Sequence, residues 1–291
     1  MRTAAILLSI VVFCAANLMA GSWSKSLDIN MTITQNSYSD SWKGGEAGSA
    51  SWVANAAGIF EKQFNPSFRH KSTIKLAFGQ THIQNKDSKR WAKPQKSTDL
   101  IDFENLGLFT LNSFVDPYIA LRLETVFLDA SVSGINRYFS PAKFTESGGI
   151  ARVFYRNDKN ELISRLGFAL RQTMTSTIID TAAGKTESKS TQDGGIEMVS
   201  DFKQAISATL MITSKLSLYK ALFYSKADDF KGTIAEDYWR AVDVNFETKI
   251  SASVAKYVEV SLYLQALYDK EIDLRGRFKQ TLALGLTYKL F

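Results

Sequence analysis

The chain has 291 residues, of which 45% are hydrophobic and 22% are charged, and its formal net charge is +6 at pH 7. The sequence has only 4 Pro but 17 Gly, 5 Trp, 11 Tyr and 19 Phe, a composition that suits many strands better than a disordered chain. The Lys and Arg residues are spread along the sequence and form no basic patch, which argues against nucleic acid as a partner.

Residues 1–20 have the form of a secretory signal peptide. Arg2 supplies the positive start, residues 4–16 are apolar, and the small Ala20 suits a cleavage site. An uncleaved anchor helix is the alternative interpretation. The only cysteine, Cys14, lies inside this segment, so the mature chain would have no disulfide, no thiol nucleophile and no Cys-ligated metal. No later stretch has about eighteen consecutive apolar residues, so no further membrane-spanning helix is predicted. No cofactor is expected.

Twelve segments of the mature sequence alternate apolar and polar residues with a period of two, as half-buried strands do. In the first, Leu27 and Ile29 alternate with Asp28 and Asn30, and the sixth is the least regular. The segments lie at about 27–35, 49–63, 68–82, 99–112, 117–128, 144–156, 161–176, 194–203, 207–225, 237–250, 256–269 and 277–291.

The connections between these segments alternate in length along the chain. Short turns are predicted near residues 65–66, 115–117, 157–160, 204–205 and 251–253. Longer loops are predicted near 36–48, 83–98, 129–143, 177–193, 226–236 and 270–276. Such alternation is typical of transmembrane barrels with short periplasmic turns and longer external loops. We therefore predict an all-β, up-and-down antiparallel transmembrane barrel of about twelve strands over residues 21–291.

Aromatic residues near the predicted strand ends fit the interfacial belts of such a barrel. These are Trp52, Tyr118, Tyr138, Tyr155, Tyr224, Tyr238, Trp239, Tyr257, Tyr268 and Tyr288. A soluble periplasmic barrel with its apolar face turned inward is the alternative architecture, and it has no need of these belts.

Charged residues of both signs lie on the polar faces and would line the lumen. The candidates are Asp102, Glu104, Arg122, Glu124, Arg165, Arg171, Glu197, Asp201, Lys203, Asp243, Glu247, Lys249 and Glu259. They would either line a path for ions and solutes or fill the interior as ion pairs that hold the wall together. Because many of them are long, we expect a narrow, mostly occupied lumen with little or no conductance.

The last segment is strongly amphipathic and serves as the candidate assembly strand. Its apolar face carries Leu282, Leu284, Leu286, Tyr288 and Leu290, and the chain ends at Phe291. Pairing of this strand with the first would leave no edge. The segment resembles the terminal strand of Gram-negative outer-membrane barrels. That resemblance implies location in the outer membrane, contact with its lipids and recognition by the barrel-assembly machinery. Phe291 is one residue out of step with the apolar face, so Leu290 can take its place.

A further resemblance begins at the loop Trp42-Lys43-Gly44-Gly45-Glu46 and continues in Ser51-Trp52-Val53-Ala54-Asn55. Residues 76–81, 139–142 and 285–289 also fit it. Over about residues 36–291 the chain resembles an uncharacterised family of outer-membrane-type barrels, known mostly from Bacteroidetes-like bacteria. The family brings no established activity. The loop at 42–46 either contacts a glycan or lipid head group or folds into the barrel mouth, with its glycines permitting positive φ.

One fragment, His70-Lys71-Ser72, has the spacing found in a twelve-stranded outer-membrane phospholipase family. Thr73-Ile74 replaces the Asn-Gly of that family, and the fragment follows a predicted short turn, whereas the family's site lies near the outer end. His82 stands alone, so no His-rich metal site is expected.

The sequence thus predicts a monomer with a structural role or with passive or gated transport of small solutes or lipids, and no enzyme activity. The alternatives are an outer-membrane protein that binds a ligand or partner through its external loops, a soluble periplasmic barrel, and a membrane lipid hydrolase.

Overall fold

The computed structural model describes residues 23–39, 47–85, 87–111, 113–132, 134–157 and 159–289, without the side chain of residue 289. Within these residues the regular structure consists of fourteen β-strands and two short 3-10 turns, Ala227–Phe230 and Tyr238–Arg240. Neither of these turns is long or apolar enough to cross a membrane.

Twelve strands close into one antiparallel barrel in which sequence neighbours pair. The barrel strands are β1 (Ser24–Asn36), β2 (Ser49–Asn65), β3 (Phe68–Ile83), β4 (Gln95–Phe109), β5 (Asp116–Thr125), β8 (Ala142–Arg156), β9 (Glu161–Asp180), β10 (Lys185–Ala205), β11 (Leu210–Tyr224), β12 (Val242–Ala255), β13 (Val258–Asp269) and β14 (Asp273–Lys289). β6 (Leu128–Val132) and β7 (Ile135–Tyr138) form a separate hairpin between β5 and β8. The predicted fold class, an antiparallel barrel of about twelve strands, is confirmed.

The last strand closes the barrel against the first. Asp28 lies opposite Lys289 and Met31 lies opposite Leu286, so β1 and β14 pair in antiparallel fashion. Backbone groups that would otherwise form open sheet edges are thereby hydrogen-bonded.

Side chains alternate between the outer wall and the lumen, because successive residues of a strand point to opposite faces. On β14, Leu282, Leu284 and Leu286 are 72%, 63% and 65% exposed, whereas Gly285 and Thr287 are buried. β1 repeats this division, with Met31 exposed between the half-buried Asn30 and Thr32. The outer wall is therefore largely apolar, and the charged faces turn inward, which is the orientation of a barrel in lipid.

The two ends of the barrel differ in their connections. At the turn end the strands are joined by residues 66–67, 110–115, 157–160, 206–209 and 256–257. At the loop end they are joined by residues 37–48, 84–94, 126–141, 181–184, 225–241 and 270–272. Both termini of the described barrel lie at the turn end.

Three predicted loops at the loop end contain more strand than the sequence indicated. β9 and β10 extend to a tight turn at 181–184, so the predicted loop at 177–193 is wrong. This Ser- and Thr-rich stretch lacks apolar alternation because a ribbon beyond the barrel rim has water on both faces. The predicted loop at 270–276 shortens to 270–272, and the loop at 129–143 contains most of the β6–β7 hairpin.

Candidate functional site in the barrel lumen

A chain of ion pairs runs along the lumen wall from β4 to β8. Arg122 of β5 donates two hydrogen bonds to the carboxylate of Asp102, at 2.9 and 3.0 Å, and contacts Glu124 at 3.1 Å. Glu124 also pairs with Lys143 of β8 at 2.8 Å. Strand register places Asp102 directly opposite Glu124, a repulsive like-charge pair. The guanidinium of Arg122, between the two carboxylates, turns this repulsion into attraction.

Glu104 connects walls of the barrel that face each other. One carboxylate oxygen pairs with Arg165 of β9 at 2.6 Å, and the other pairs with Lys215 of β11 at 2.7 Å. Four strands separate β4 from β11 on the shorter way round the barrel. A second contact of this kind joins Lys75 of β3 to Glu247 of β12 at 3.2 Å. At this level, side chains from facing strands are in direct contact, so the ion pairs themselves occupy the lumen.

A separate cluster occupies the lumen near the turn end. Glu161 of β9 pairs with Arg69 at 3.1 Å and with Lys71 at 2.9 Å, both from β3. Glu61 of β2 pairs with Arg69 at 2.7 Å and also with Arg156 of β8. Three cations thus share two carboxylates, and the cluster joins β2 and β3 to β8 and β9 across the interior.

Near the loop end, Arg171 of β9 organises the lumen. Its guanidinium pairs with Asp193 of β10 at 2.7 Å and with Asp243 of β12 at 2.8 Å. The same group lies 3.5 Å from the ring centroid of Tyr219, whose hydroxyl donates to Asp193 at 2.5 Å. Charged groups are therefore paired at each of the three levels of the lumen.

One side of the lumen is filled by apolar side chains. Leu106, Leu108, Ala120, Ala151 and Ile163, from β4, β5, β8 and β9, pack into a buried cluster together with Tyr118. Tyr118 was expected in an interfacial belt, and that expectation is wrong, because only 2% of this residue is exposed. It shares the inward parity of Arg122, and its ring lies 5.6 Å from the guanidinium of Arg165.

The predicted lumen charges mostly find partners. Within the residues that the structure describes, only Glu197 and Lys203 of the predicted set make no ion pair. The partners that sequence reasoning left out of this set are Glu61, Arg69, Lys71, Lys75, Lys143, Arg156, Glu161, Asp193 and Lys215. Their position on the polar faces could have assigned them to the lumen from the sequence. Which of them meet across the lumen could not be predicted, because that depends on the strand register around the barrel.

His70, Ser72 and Asn105 lie together on the outer wall, toward the turn end. The Ser72 hydroxyl donates to Asn105 Oδ1 at 2.7 Å, and these two oxygens lie 3.4 and 3.2 Å from the same nitrogen of His70, Nε2. In a hydrolytic triad the nucleophile and the orienting group contact different ring nitrogens. The three residues are adjacent, yet they do not form a nucleophile, base and orienting group in series.

Several predicted positions lie outside the described part of the chain. They are the signal segment 1–20, the loop Trp42, Lys43, Gly44, Gly45 and Glu46, and the terminal Leu290 and Phe291. Among the residues that are described, no group of three or more His, Cys, Asp and Glu side chains could hold a metal ion.

Glu271 lies in the turn between β13 and β14, beyond the barrel wall. The pKa of Glu271 is raised to about 7 from an ordinary value of 4.5. The largest cause is partial desolvation, and the negative charges of Asp269 and Asp243 add to it, although the side chain keeps contact with solvent. Between these two pH values the unfolded chain loses the Glu271 proton while the folded chain keeps it. This group therefore lowers stability progressively as the pH rises through that window.

Glu271→Gln should thus match the wild type in thermal stability at pH 4 and exceed it at pH 8. Melting of the purified protein in detergent at both pH values measures the difference. A gain at pH 4 as large as the gain at pH 8 would contradict the assigned pKa.

Several solved outer-membrane barrels are similar to this chain in overall shape. An outer membrane channel from Pseudomonas putida F1 is 13% identical with a TM-score of 0.42, covering 94% of this chain and 96% of that one. The translocator domain of the autotransporter NalP from Neisseria meningitidis is 7% identical with a TM-score of 0.36, covering 99% and 97%. Because these scores are below 0.5, the fold assignment rests on the strand pairing itself.

Sequence comparison adds one match. No curated protein matches this chain. A family model described as "Protein of unknown function (DUF3078)" matches residues 33–130, which run from β1 into β6. This region falls largely within the part of the chain that resembles an uncharacterised family, while the extension of that resemblance to residue 291 and the bacterial source remain predictions.

Proposed function

We propose that this chain is an outer-membrane β-barrel protein whose lumen is closed at rest and passes small solutes when its ion pairs rearrange. The observation that carries the proposal is the contact of Glu104 with both Arg165 and Lys215 across the interior. Eight-stranded barrels are filled by side chains and sixteen-stranded barrels leave an aqueous channel, so in a barrel of twelve the side-chain volume decides. Here long charged side chains from facing strands meet in the interior.

Three features support the outer membrane as the location. The outer wall exposes large apolar residues such as Leu282 and Leu284, which disfavours a soluble barrel with its apolar face inward. Residues 1–20 have the form of a secretory signal. Four of the six connections at the loop end have eleven or more residues, whereas those at the turn end have two to six, which favours a periplasmic turn end and an external loop end. Outer-membrane lipids and the barrel-assembly machinery are the partners that this location implies.

Planar-bilayer recording of the purified protein tests the closed lumen. The wild type is expected to show small or no steady conductance. Glu104→Gln removes the negative charge that holds Arg165 and Lys215 together, so the two cations repel and openings should become larger or more frequent. Asp237→Asn is the matched control, because its carboxylate pairs with Arg240 on the exposed loop between β11 and β12. This control should leave the recording unchanged.

A large, steady, weakly selective conductance from the wild type would contradict the closed lumen. Identical recordings from the wild type and Glu104→Gln would contradict gating by these ion pairs.

A binding role for the loops is the second candidate, favoured by an aromatic and cationic cluster at the loop end. Tyr224 stacks on Phe230 with ring centroids 6.3 Å apart and lies 6.2 Å from Trp239. The Lys270 ammonium lies 4.5 Å from the ring centroid of Tyr238. Such rings and cations suit a sugar or an anionic head group. A protein that acts only in this way would conduct neither before nor after the Glu104 substitution.

A further inference from the structure

Two charges of opposite sign stand on the largely apolar outer wall. Glu146 of β8 is exposed and lies opposite Leu121 of β5 and Leu170 of β9, which are 45% and 46% exposed. Lys220 of β11 is also exposed and lies opposite Ile196 of β10, with Tyr219 buried on the lumen side of the same strand. Both charges therefore point away from the lumen, toward the lipid.

Neither charge is neutralised within the part of the chain that the structure describes, where no ion-pair partner lies within 4.0 Å of Glu146 or Lys220. The contrast with Arg152, also on β8, is informative. Its guanidinium donates to the carbonyl of Phe114 at 2.6 Å and stacks 3.7 Å from the Phe114 ring, at the turn end of the barrel. An unpaired charge that faces lipid is unfavourable, and more so away from the interfaces. Glu146 and Lys220 therefore call for partners outside this chain.

The wall between the two charges is apolar. β9 and β10 lie between β8 and β11, and they expose Phe168, Leu170, Ile196 and Met198. Gly194, in the row between Leu170 and the exposed Phe223, is covered by the Phe223 ring, so the apolar surface is continuous there. Glu146 on β8 and Lys220 on β11 thus lie on either side of an apolar patch, at equal distances from the boundary between β9 and β10.

Strand tilt brings the two charges to nearly the same depth. The hydrogen-bonded row of Lys220 passes through Ile196 and Phe168 to Gly148, which is the next outward position after Glu146 toward the turn end. Such rows climb toward the loop end from β1 to β11, since the row that starts at Ser24 arrives at residue 221. With a distance of about 4.8 Å between strands and a strand tilt near 40°, Lys220 lies about 9 Å closer to the loop end than Gly148. Glu146 lies about 5 Å closer to the loop end than Gly148, so the depths of the two charges differ by only about 4 Å.

We propose that two copies of this chain associate through β8 to β11, with Glu146 of each copy paired to Lys220 of the partner subunit. A two-fold axis along the membrane normal, between β9 and β10, places β8 of one copy against β11 of the other. Both charge pairs then form at once, and the apolar patch fills the space between them. Within one chain the two residues are three strand spacings apart, about 14 Å, so they satisfy each other only between copies. This arrangement replaces the expectation of a monomer.

Cross-linking in lipid vesicles tests the dimer. The mature chain has no native cysteine, so Ile196→Cys introduces a single thiol close to the proposed axis. A short bis-maleimide should join two copies efficiently, whereas Leu284→Cys, on the distant β14, reports random collisions. In the Ile196→Cys background, Glu146→Lys and Lys220→Glu should each reduce the cross-linked fraction about tenfold, because each brings like charges together.

Mixing the two charge variants is the decisive step. A chain with Glu146→Lys and a chain with Lys220→Glu repel their own copies, but each complements the other at both pairs. Co-reconstitution should therefore restore cross-linking, and because the same folded chains are present in every sample, misfolding cannot explain the pattern. The proposal is overturned if Ile196→Cys cross-links no better than Leu284→Cys, if either single charge variant cross-links as well as its parent, or if the mixture fails to recover.

Discussion

Leu284→Arg is expected to abolish most membrane assembly of this barrel, at a cost of about 2–4 kcal/mol in folding free energy. Leu284 lies on β14 with 63% of its surface exposed on the outer wall, several residues from both ends of the strand. An arginine there would face hydrocarbon near the middle of the layer, too deep for its guanidinium to reach the interface easily. The fraction of heat-modifiable, folded protein after refolding into vesicles measures the loss.

Thr281→Arg is the matched control for this substitution. Thr281 lies on the same strand but on the opposite face, across from Tyr263, where the lumen can accept a charge. We expect it to change stability by less than about 1 kcal/mol. If the two variants refolded to the same extent, the assignment of the outer wall would be wrong.

Arg165→Ala is expected to destabilise the barrel by about 3 kcal/mol. Arg165 is 3% exposed and is held at 2.6 Å by Glu104 and at 3.3 Å by Asp201. Truncation leaves Asp201 without its partner and leaves Glu104 with Lys215 alone. The desolvation of these carboxylates then lacks its compensation, and denaturant unfolding in vesicles measures the loss.

Arg240→Ala provides the exposed counterpart of this change. Its pair with Asp237 is 2.8 Å long, but the two side chains are 62% and 68% exposed, so the loss should be at most about 1 kcal/mol. A double variant, Arg165→Met with Glu104→Gln, should lose less than Arg165→Ala, since it removes two buried charges together and leaves Asp201 and Lys215, which lie opposite each other on β10 and β11, to pair. Equal losses from Arg165→Ala and Arg240→Ala would mean that water in the lumen screens these pairs.

Much of the barrel wall could be predicted from the sequence because strands in lipid must alternate. Leu282, Leu284 and Leu286 interleave with small or polar residues, and this pattern places the strand and its faces together. The β9–β10 ribbon was missed because the same rule does not operate beyond the membrane. Residues 177–180 and 185–193 pair as strands through β-branched and polar residues, and they have no apolar face by which the sequence could have indicated them.

The lumen was predictable in composition but not in pairing. Parity alone assigns Glu104, Arg165 and Lys215 to the interior. Their meeting depends on which residues of β4, β9 and β11 reach the same level, and that is set by register around the barrel. Tyr118 shows that position along a strand is a weaker guide than parity. Its place near a strand end predicted an interfacial belt, whereas its parity places the side chain inside the barrel, where it is buried.

Closure of the barrel joins the first strand to the last, and this fixes the order in which the protein can be completed. β1 and β14 stand at opposite ends of the sequence, and within the described residues they align through four residue pairs, from Asp28 with Lys289 to Met31 with Leu286. Contacts between chain ends form late, after the intervening hairpins have registered. Until that moment the growing sheet has two open edges, each able to accept a strand from another chain. Pairing of the β13–β14 hairpin with β1 therefore ends the period in which the nascent protein is vulnerable to aggregation through its open edges.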